Sequence, residues 1–358
     1  MKRTRARPPK KHARIGAATL AALLLLSARA TAQSATALQE GVVFGEYSPL
    51  ASEAQVVHRL LSPLAAAQIE RTLQESHQQL REQSIDLAAE AFTLHVPRAA
   101  PAHGYALLVF IPPWPDARLP PGWAAVLDRY GVIFVSARNS GNEANDLTRR
   151  APLALLAAYN LMSRYPVDAQ KVYVGGFSGG ARVALRLALA YPDLFHGALL
   201  NAGSDPLDAG PPSPPSPQRL QQFQESSRLV YVTGEHDTQH LNMDADSLRS
   251  LHQWCVFDAE AQVTLAAAHA VADAAAFGRA LNALLHPSPP AVGKLIACRA
   301  AIAEKVAGQL QEVTRLIADE RRAEAQKLLI EIDRHFGGVA APKSLELESA
   351  LGWQLPAR

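Results

Sequence analysis

The sequence predicts an α/β fold, a mostly parallel sheet flanked by helices, followed by a small C-terminal helical hairpin. Three observations carry that expectation. Short apolar runs alternate with segments of helical length and periodicity across residues 91–286. Two of the runs, Tyr105–Ile111 (YALLVFI) and Gly131–Ser136 (GVIFVS), are apolar almost throughout, as strands covered on both faces are. Beyond residue 294 the apolar residues recur at helical spacing.

The chain has 358 residues and is 48% hydrophobic, enough for one large domain with a small appendage. Residues 1–32 are set apart. Lys2, Arg3, Arg5, Arg7, Lys10, Lys11 and Arg14 form a basic stretch, and Ile15–Leu26 is an apolar run too short to span a bilayer. Ala30-Thr31-Ala32 then supplies the small-x-small pattern of a cleavage site. A membrane anchor is the alternative, but no second apolar run follows and no Cys sits at the cut to carry a lipid. The expectation is a signal peptide, export to the periplasm or beyond, and no stable membrane anchor after cleavage. The formal charge of +2 includes the eight Lys/Arg of residues 1–32; without them 27 basic residues face 33 acidic ones, a balance of −6. Nothing in this charge argues for a nucleic-acid partner, and none is expected.

Residues 33–90 read as a partly helical extension, with a helix over 53–90 marked by Leu60, Leu61, Leu64, Ile69 and Leu73. Within 91–286, Ala91–Val96 alternates as a half-buried strand. Lys171–Val174, Gly197–Leu200, Arg228–Val232 and Val263–Ala266 complete the strands. Pro152–Arg164, Gly179–Tyr191 and Ala272–Leu285 read as helices. The proline-rich run Pro211–Pro217 cannot be a central strand and reads as an exposed loop at the rim of the site. Residues 287–293 read as a linker. In 294–358, Leu295, Ile302, Val306, Leu310, Val313 and Ile317 mark one helix. Ala325, Leu329, Ile332 and Phe336 mark a second, stopped by Gly337-Gly338. This hairpin either packs on the main domain or offers a protein contact. Cys255 and Cys298 can pair in an oxidising compartment or remain two buried thiols.

Ligands in parallel sheets bind beyond the carboxyl ends of the strands, which directs attention to the loops there. Gly176-Phe177-Ser178-Gly179-Gly180 matches the G-x-S-x-G nucleophile elbow. The letters alone would arise by chance in about one chain in ten of this length, but an apolar strand runs into the motif and a helix free of Gly and Pro runs out of it. Such a turn lifts the Ser178 hydroxyl above the sheet, and the amide of Gly179 at the helix start is placed to face an oxyanion. A serine needs a base and the base an acid, in the chain order Ser, acid, His. Asp237 follows the strand Arg228–Val232 and is the first candidate acid, with Glu235 in reserve and Asp205 and Asp208 less favoured. His269 follows the last apolar run and is the candidate base. His236 and His240 lie too close to the acid loop to reach back, and His252 falls in a helix.

The stretch Val167–Gly203 resembles the elbow region of polyhydroxybutyrate-depolymerase-like and related serine esterases of the α/β-hydrolase superfamily. That resemblance implies ester hydrolysis through an acyl-enzyme, with no metal or cofactor. These relatives usually carry His-Gly after the strand matching Tyr105–Ile111, where this chain has Pro112-Pro113-Trp114-Pro115. Proline has no N–H, so within those residues only Trp114 can complete the oxyanion hole; otherwise the hole is incomplete and Trp114 is a hydrophobic wall on a rigid loop. Phe177, Asn139 and Asn142 are candidate substrate contacts, although Asn139 and Asn142 could equally close a turn. The competing readings are a peptidase on the same fold and an inactive hydrolase-fold binding module.

Overall fold

A computed structural model describes residues 38–207, 211–288 and 291–352, which belong to one compact unit. The expected signal peptide lies outside the described residues, as do Asp208 and Pro289-Pro290 of the expected linker.

Eight strands form one sheet: β1 (Leu38–Val42), β2 (Phe92–His95), β3 (Tyr105–Ile111), β4 (Val132–Ala137), β5 (Val167–Phe177), β6 (Gly197–Asn201), β7 (Arg228–Gly234) and β8 (Ala259–Thr264). The order is β1-β2-β4-β3-β5-β6-β7-β8. β2 runs antiparallel to both its neighbours, and all other pairings are parallel. This is the α/β-hydrolase fold. The helices are α1 (Glu53–Leu60), α2 (Pro63–Glu75), α3 (Trp123–Tyr130), α4 (Ala151–Arg164), α5 (Gly179–Ala190), α6 (Pro217–Ser226), α7 (Thr238–Gln253), α8 (Ala274–Leu285), α9 (Val292–Ala318), α10 (Arg322–Phe336) and α11 (Lys343–Leu351).

The continuous apolar runs resolve into two faces because side chains alternate along a strand. Leu107, Val109, Ile111, Val172 and Val174 join the core under α4 and α5. Ala106, Leu108, Phe110, Tyr173 and Val230 join the core under α3 and α8. On that second face the Trp123 and Phe277 rings stack 3.6 Å apart, and the Trp123 indole donates to the Ala272 carbonyl.

Several expectations need correction. Ala91–Val96 does not form a half-buried strand: all of β2 is buried, because Thr93 donates to the Ala117 carbonyl and His95 pairs with Asp128, so its polar side chains are satisfied inside. The region 33–52 contains β1, a short strand at the sheet edge whose burial is too incomplete to leave an apolar pattern. The helix expected over 53–90 breaks at Leu61-Ser62-Pro63, where Leu61 is extended and Pro63 opens α2, and it ends at Glu75. The last strand lies at 259–264, not Val263–Ala266; as the other edge of the sheet it needs little apolar surface, and Leu265 beyond it is 76% exposed. The segment Pro211–Pro217 is not a free rim loop. Pro212, Pro214 and Pro215 are buried, and the Pro214 carbonyl accepts the Gly338 N–H at 2.8 Å.

The C-terminal segment holds three helices rather than a hairpin. Val306, Leu310, Val313, Leu329, Ile332 and Phe336 share a core with α4 and α5. Asp333 accepts from the Ser62 hydroxyl and the Leu64 N–H, and Arg71 pairs with Glu348, so α10 and α11 grip α2. A disulfide joins Cys255 to Cys298 with 5.8 Å between Cα atoms, tying α9 to the turn after α7. Among the described residues no helix is long and apolar enough to cross a membrane.

Candidate active site

Strands β5 to β8 lie side by side and parallel, so their carboxyl ends deliver four loops to one place. Ser178 follows β5, Asn201 ends β6, Asp237 follows β7 and His269 follows β8. Ser178 sits at φ 54° and ψ −124°, a conformation disfavoured for any residue with a side chain. Its neighbours hold it there. The Ser178 N–H donates to the Asn201 carbonyl at 2.8 Å, and the Ser178 carbonyl accepts the Ala181 N–H at 3.0 Å. A Cβ at Gly176 would strike the Gly180 backbone, and one at Gly180 would strike the Ile111 carbonyl, so only glycine admits this packing.

The structure brings Ser178, His269 and Asp237 into one hydrogen-bonded chain. His269 Nε2 lies 3.1 Å from Ser178 Oγ, and His269 Nδ1 lies 2.6 Å from Asp237 Oδ2. An ionised carboxylate can only accept, so Nδ1–H donates to Asp237 and Nε2 is left to accept from the serine hydroxyl. Glu235 is exposed and accepts the Ala266 N–H at 2.9 Å; it braces the loop and is not the acid partner of His269. Asp205 pairs with Arg182 and Arg186 instead. His236 is exposed and His252 lies in α7.

His240 takes a place that its position in the sequence did not suggest. Its Nδ1 lies 2.8 Å from Asp237 Oδ1, the oxygen that His269 does not use. The two imidazoles stack at 4.3 Å and 17°. Burial pushes the Asp237 carboxyl up, but the bonds from His240 and His269 outweigh it and hold the group below the ordinary carboxylate range. His269 is also flanked by Phe177, centroids 4.8 Å apart, and Phe177 in turn packs on Trp114 at 5.9 Å. The His269 imidazole is thus sandwiched between two rings. Asp237, His240 and His269 bring three potential metal donors within 4.8 Å of one another. A metal must lie near the plane of each imidazole that binds it, and stacked rings share no such point, so this arrangement suits a shared carboxylate better than a shared cation.

The opposite side of the site is built by the loops after β3 and β4. Asn139 N–H donates to the Pro115 carbonyl at 2.6 Å and Asn142 N–H to the Pro113 carbonyl at 3.0 Å. Because the 113–114 peptide is trans, its carbonyl toward Asn142 turns the Trp114 N–H the other way. Neither the Trp114 N–H nor the Gly179 N–H donates to another group among the described residues. The Trp114 indole lies under the Arg118 guanidinium, 4.2 Å from the ring centroid. The Asn142 side chain packs directly on Gly179. Asn139 is exposed at φ 55°, and its backbone carbonyl accepts from Arg149 Nε, so its contacts are those of a turn.

Two residues that the sequence did not single out organise these loops. Arg150 is buried and donates to the carbonyls of Ser140 and Pro112 and to Asp146, joining the loops after β3 and β4. Asn201 donates its side-chain amide to the carbonyls of Val232 and Ala270 and accepts the Ala272 N–H, while its backbone holds Ser178. One signal for Arg150 was visible: a cation at the start of an apolar helix opposes the helix dipole, so it needs another partner. For Asn201 the signal was a polar residue ending the apolar strand GALLN. For His240 it was the Asp-x-x-His spacing at a helix start.

No protein-family model matches the chain. Over 98 residues it is 30% identical to a poly(3-hydroxybutyrate) depolymerase of Ralstonia pickettii, a match covering 24% of this chain and 20% of that protein. The chain thus spans about a fifth of the length of that curated relative. A ferulic acid esterase structure superposes with a TM-score of 0.42 and 16% identity, over 55% of this chain and 90% of that one. An S-formylglutathione hydrolase of Staphylococcus aureus gives 0.44 and 10%, over 55% and 93%.

Proposed function

We propose that this protein is an exported serine hydrolase that cleaves carboxylic esters through an acyl-enzyme on Ser178. The observation that carries the reading is the unbroken chain from Ser178 Oγ through His269 to Asp237, at 3.1 and 2.6 Å, set on a strained elbow. In the first half-reaction Ser178 Oγ attacks the ester carbonyl while His269 Nε2 takes its proton. The new imidazolium is stabilised by Asp237, whose carboxylate is held in place by His240. The N–H groups of Gly179 and Trp114 receive the negative charge that builds on the former carbonyl oxygen. Collapse of the tetrahedral intermediate breaks the bond to the alcohol oxygen, which leaves with the proton from Nε2. Water then repeats the sequence on the acyl-enzyme, releasing the acid and restoring Ser178. Phe177 and the Trp114 indole wall the acyl side.

The partial likeness to a poly(3-hydroxybutyrate) depolymerase supports an ester over an amide as substrate. The oxidised Cys255–Cys298 pair and the N-terminal pattern support export. The test is a reactive fluorophosphonate probe followed by a panel of short-acyl p-nitrophenyl esters and peptide substrates. Labelling of the folded protein that disappears in Ser178→Ala, together with ester turnover, is the expected result. A folded chain that resists the probe would sink the reading in favour of a binding module; peptide turnover without ester turnover would make it a peptidase.

A further inference from the structure

A second concavity runs beside the elbow. It is a cleft of about 560 Å³ between α5 and the segment 142–150, lined by Asn142, Asp146, Arg150, Gly179, Arg182 and Arg186 among others. That volume is within the range of small-molecule sites. Gly179 lines the cleft and is also the oxyanion donor, so the cleft opens beside the reacting carbonyl. Arg182 lies four residues past Ser178, about 6 Å further along the helix.

The charges of the cleft divide unevenly. Arg150 spends its donors on Ser140, Pro112 and Asp146. Arg186 reaches Asp146 at 2.7 Å and Asp205 at 3.2 Å, and its Nε is buried without a partner. Arg182 uses Nε and Nη2 on Asp205, which leaves its Nη1 without a hydrogen-bond partner among the described residues, and its side chain is 46% exposed. Among the described residues, the three guanidinium groups of the cleft pair with two carboxylates, Asp146 and Asp205, and the solvent-accessible open donor is on Arg182. Asp146 also lines the cleft, but both its oxygens are engaged by arginines.

We propose that this cleft is a carboxylate subsite: the substrate is an ester carrying a free carboxylate a few bonds from the scissile bond, held by Arg182 with Arg186 behind it. The inference rests on the esterase reading of Ser178. A guanidinium with open donors matches a planar carboxylate in both charge and geometry. A neutral substrate would leave the surplus cation without a counter-charge. Because Arg182 is half exposed, water and salt screen the attraction, and the effect is moderate.

The experiment compares p-nitrophenyl butyrate with two anionic esters. Mono-p-nitrophenyl glutarate carries its carboxylate on the acyl side, and 4-butyryloxybenzoate on the alcohol side. One of the anionic esters should have the higher kcat/KM, with the gain in KM and weakened by salt. Arg182→Gln should lower kcat/KM for that ester about tenfold more than for the butyrate, about 1.4 kcal/mol of discrimination, and Arg182→Lys should restore part of it. Equal kcat/KM across the three esters, or an equal loss in Arg182→Gln, overturns the proposal while leaving the esterase reading intact. Should no ester turn over, calorimetry of monomethyl glutarate with Ser178→Ala decides independently. Binding lost in Ser178→Ala/Arg182→Gln supports the subsite, and absence of binding overturns it.

Discussion

The carboxyl edge of the sheet and the C-terminal helices are both tied to the rest of the chain, but by different forces. At the edge, short loops are fixed by directional bonds: Asn201 alone touches the backbone of Ser178, Val232, Ala270 and Ala272. The C-terminal helices are fixed by apolar burial of residues such as Val313, Leu329 and Ile332, by one disulfide, and by a few polar grips on α2. Hydrogen bonds set angles and distances to tenths of an ångström, as a reacting group needs. Burial is non-directional, and it stabilises without orienting. The edge should therefore lose chemistry before it loses stability, and the helices the reverse.

The triad offers the largest effect by which this contrast can be broken. Ser178→Ala should abolish ester turnover, and Asp237→Asn and His269→Ala should each lower kcat by about 10⁴-fold. All three variants should keep a native circular dichroism spectrum and a Tm near that of the parent. A large fall in Tm for Ser178→Ala, or substantial activity in it, would contradict the division.

The disulfide tests the other region. It closes a loop of 43 residues, for which chain entropy gives about 4 kcal/mol. Cys255→Ala/Cys298→Ala should lower Tm by on the order of 10 °C while kcat/KM measured well below the transition stays within about twofold. A collapse of activity at unchanged Tm would mean that the helices reach the site after all.

Asn201→Ala sharpens the comparison because Asn201 is buried and belongs to the edge. The substitution leaves Val232, Ala270 and Ala272 without their side-chain partner, a cost of about 1–3 kcal/mol. It also frees the His269 loop, for which a loss of about 10²-fold in kcat is expected from misplacement alone. Thermal unfolding and steady-state kinetics on the same sample separate the two.

The smallest effect is expected in the helices. Burial raises the Asp333 pKa against the opposing bonds from Ser62 and Leu64. The folded chain then keeps the proton to a higher pH than the unfolded chain does. Stability falls as pH rises from the unfolded pKa toward the raised folded one, and the cost is complete above both. Asp333→Asn removes the buried charge and keeps a polar group for each partner. Its Tm should exceed the parent's by about 1–2 °C at pH 8, and the gap should close in acid. A Tm below the parent's at pH 8 would show that the charged hydrogen bonds outweigh desolvation.

The sequence by itself determined what is encoded within short windows. The elbow 176–180, the two-sided strands β3 and β4, the apolar stripes of α9 and α10, and the Ser–Asp–His order all depend on spacing or chain direction, and the structure places Ser178, Asp237 and His269 together as that order requires. What only the tertiary structure decided involves partners far apart in the chain. The edges β1 and β8 exist through pairing on one side, so they carry no two-sided apolar run. The middle of the segment Pro211–Pro217 is covered where Gly337-Gly338, more than a hundred residues away, pack against Ser213 to Ser216. His240 shares the carboxylate of Asp237, and Arg150 and Asn201 tie loops that follow different strands. A polar residue in a sequence declares that it needs a partner. Only the folded chain supplies the partner's identity, because a hydrogen bond depends on angle and distance while hydrophobic periodicity depends on spacing alone.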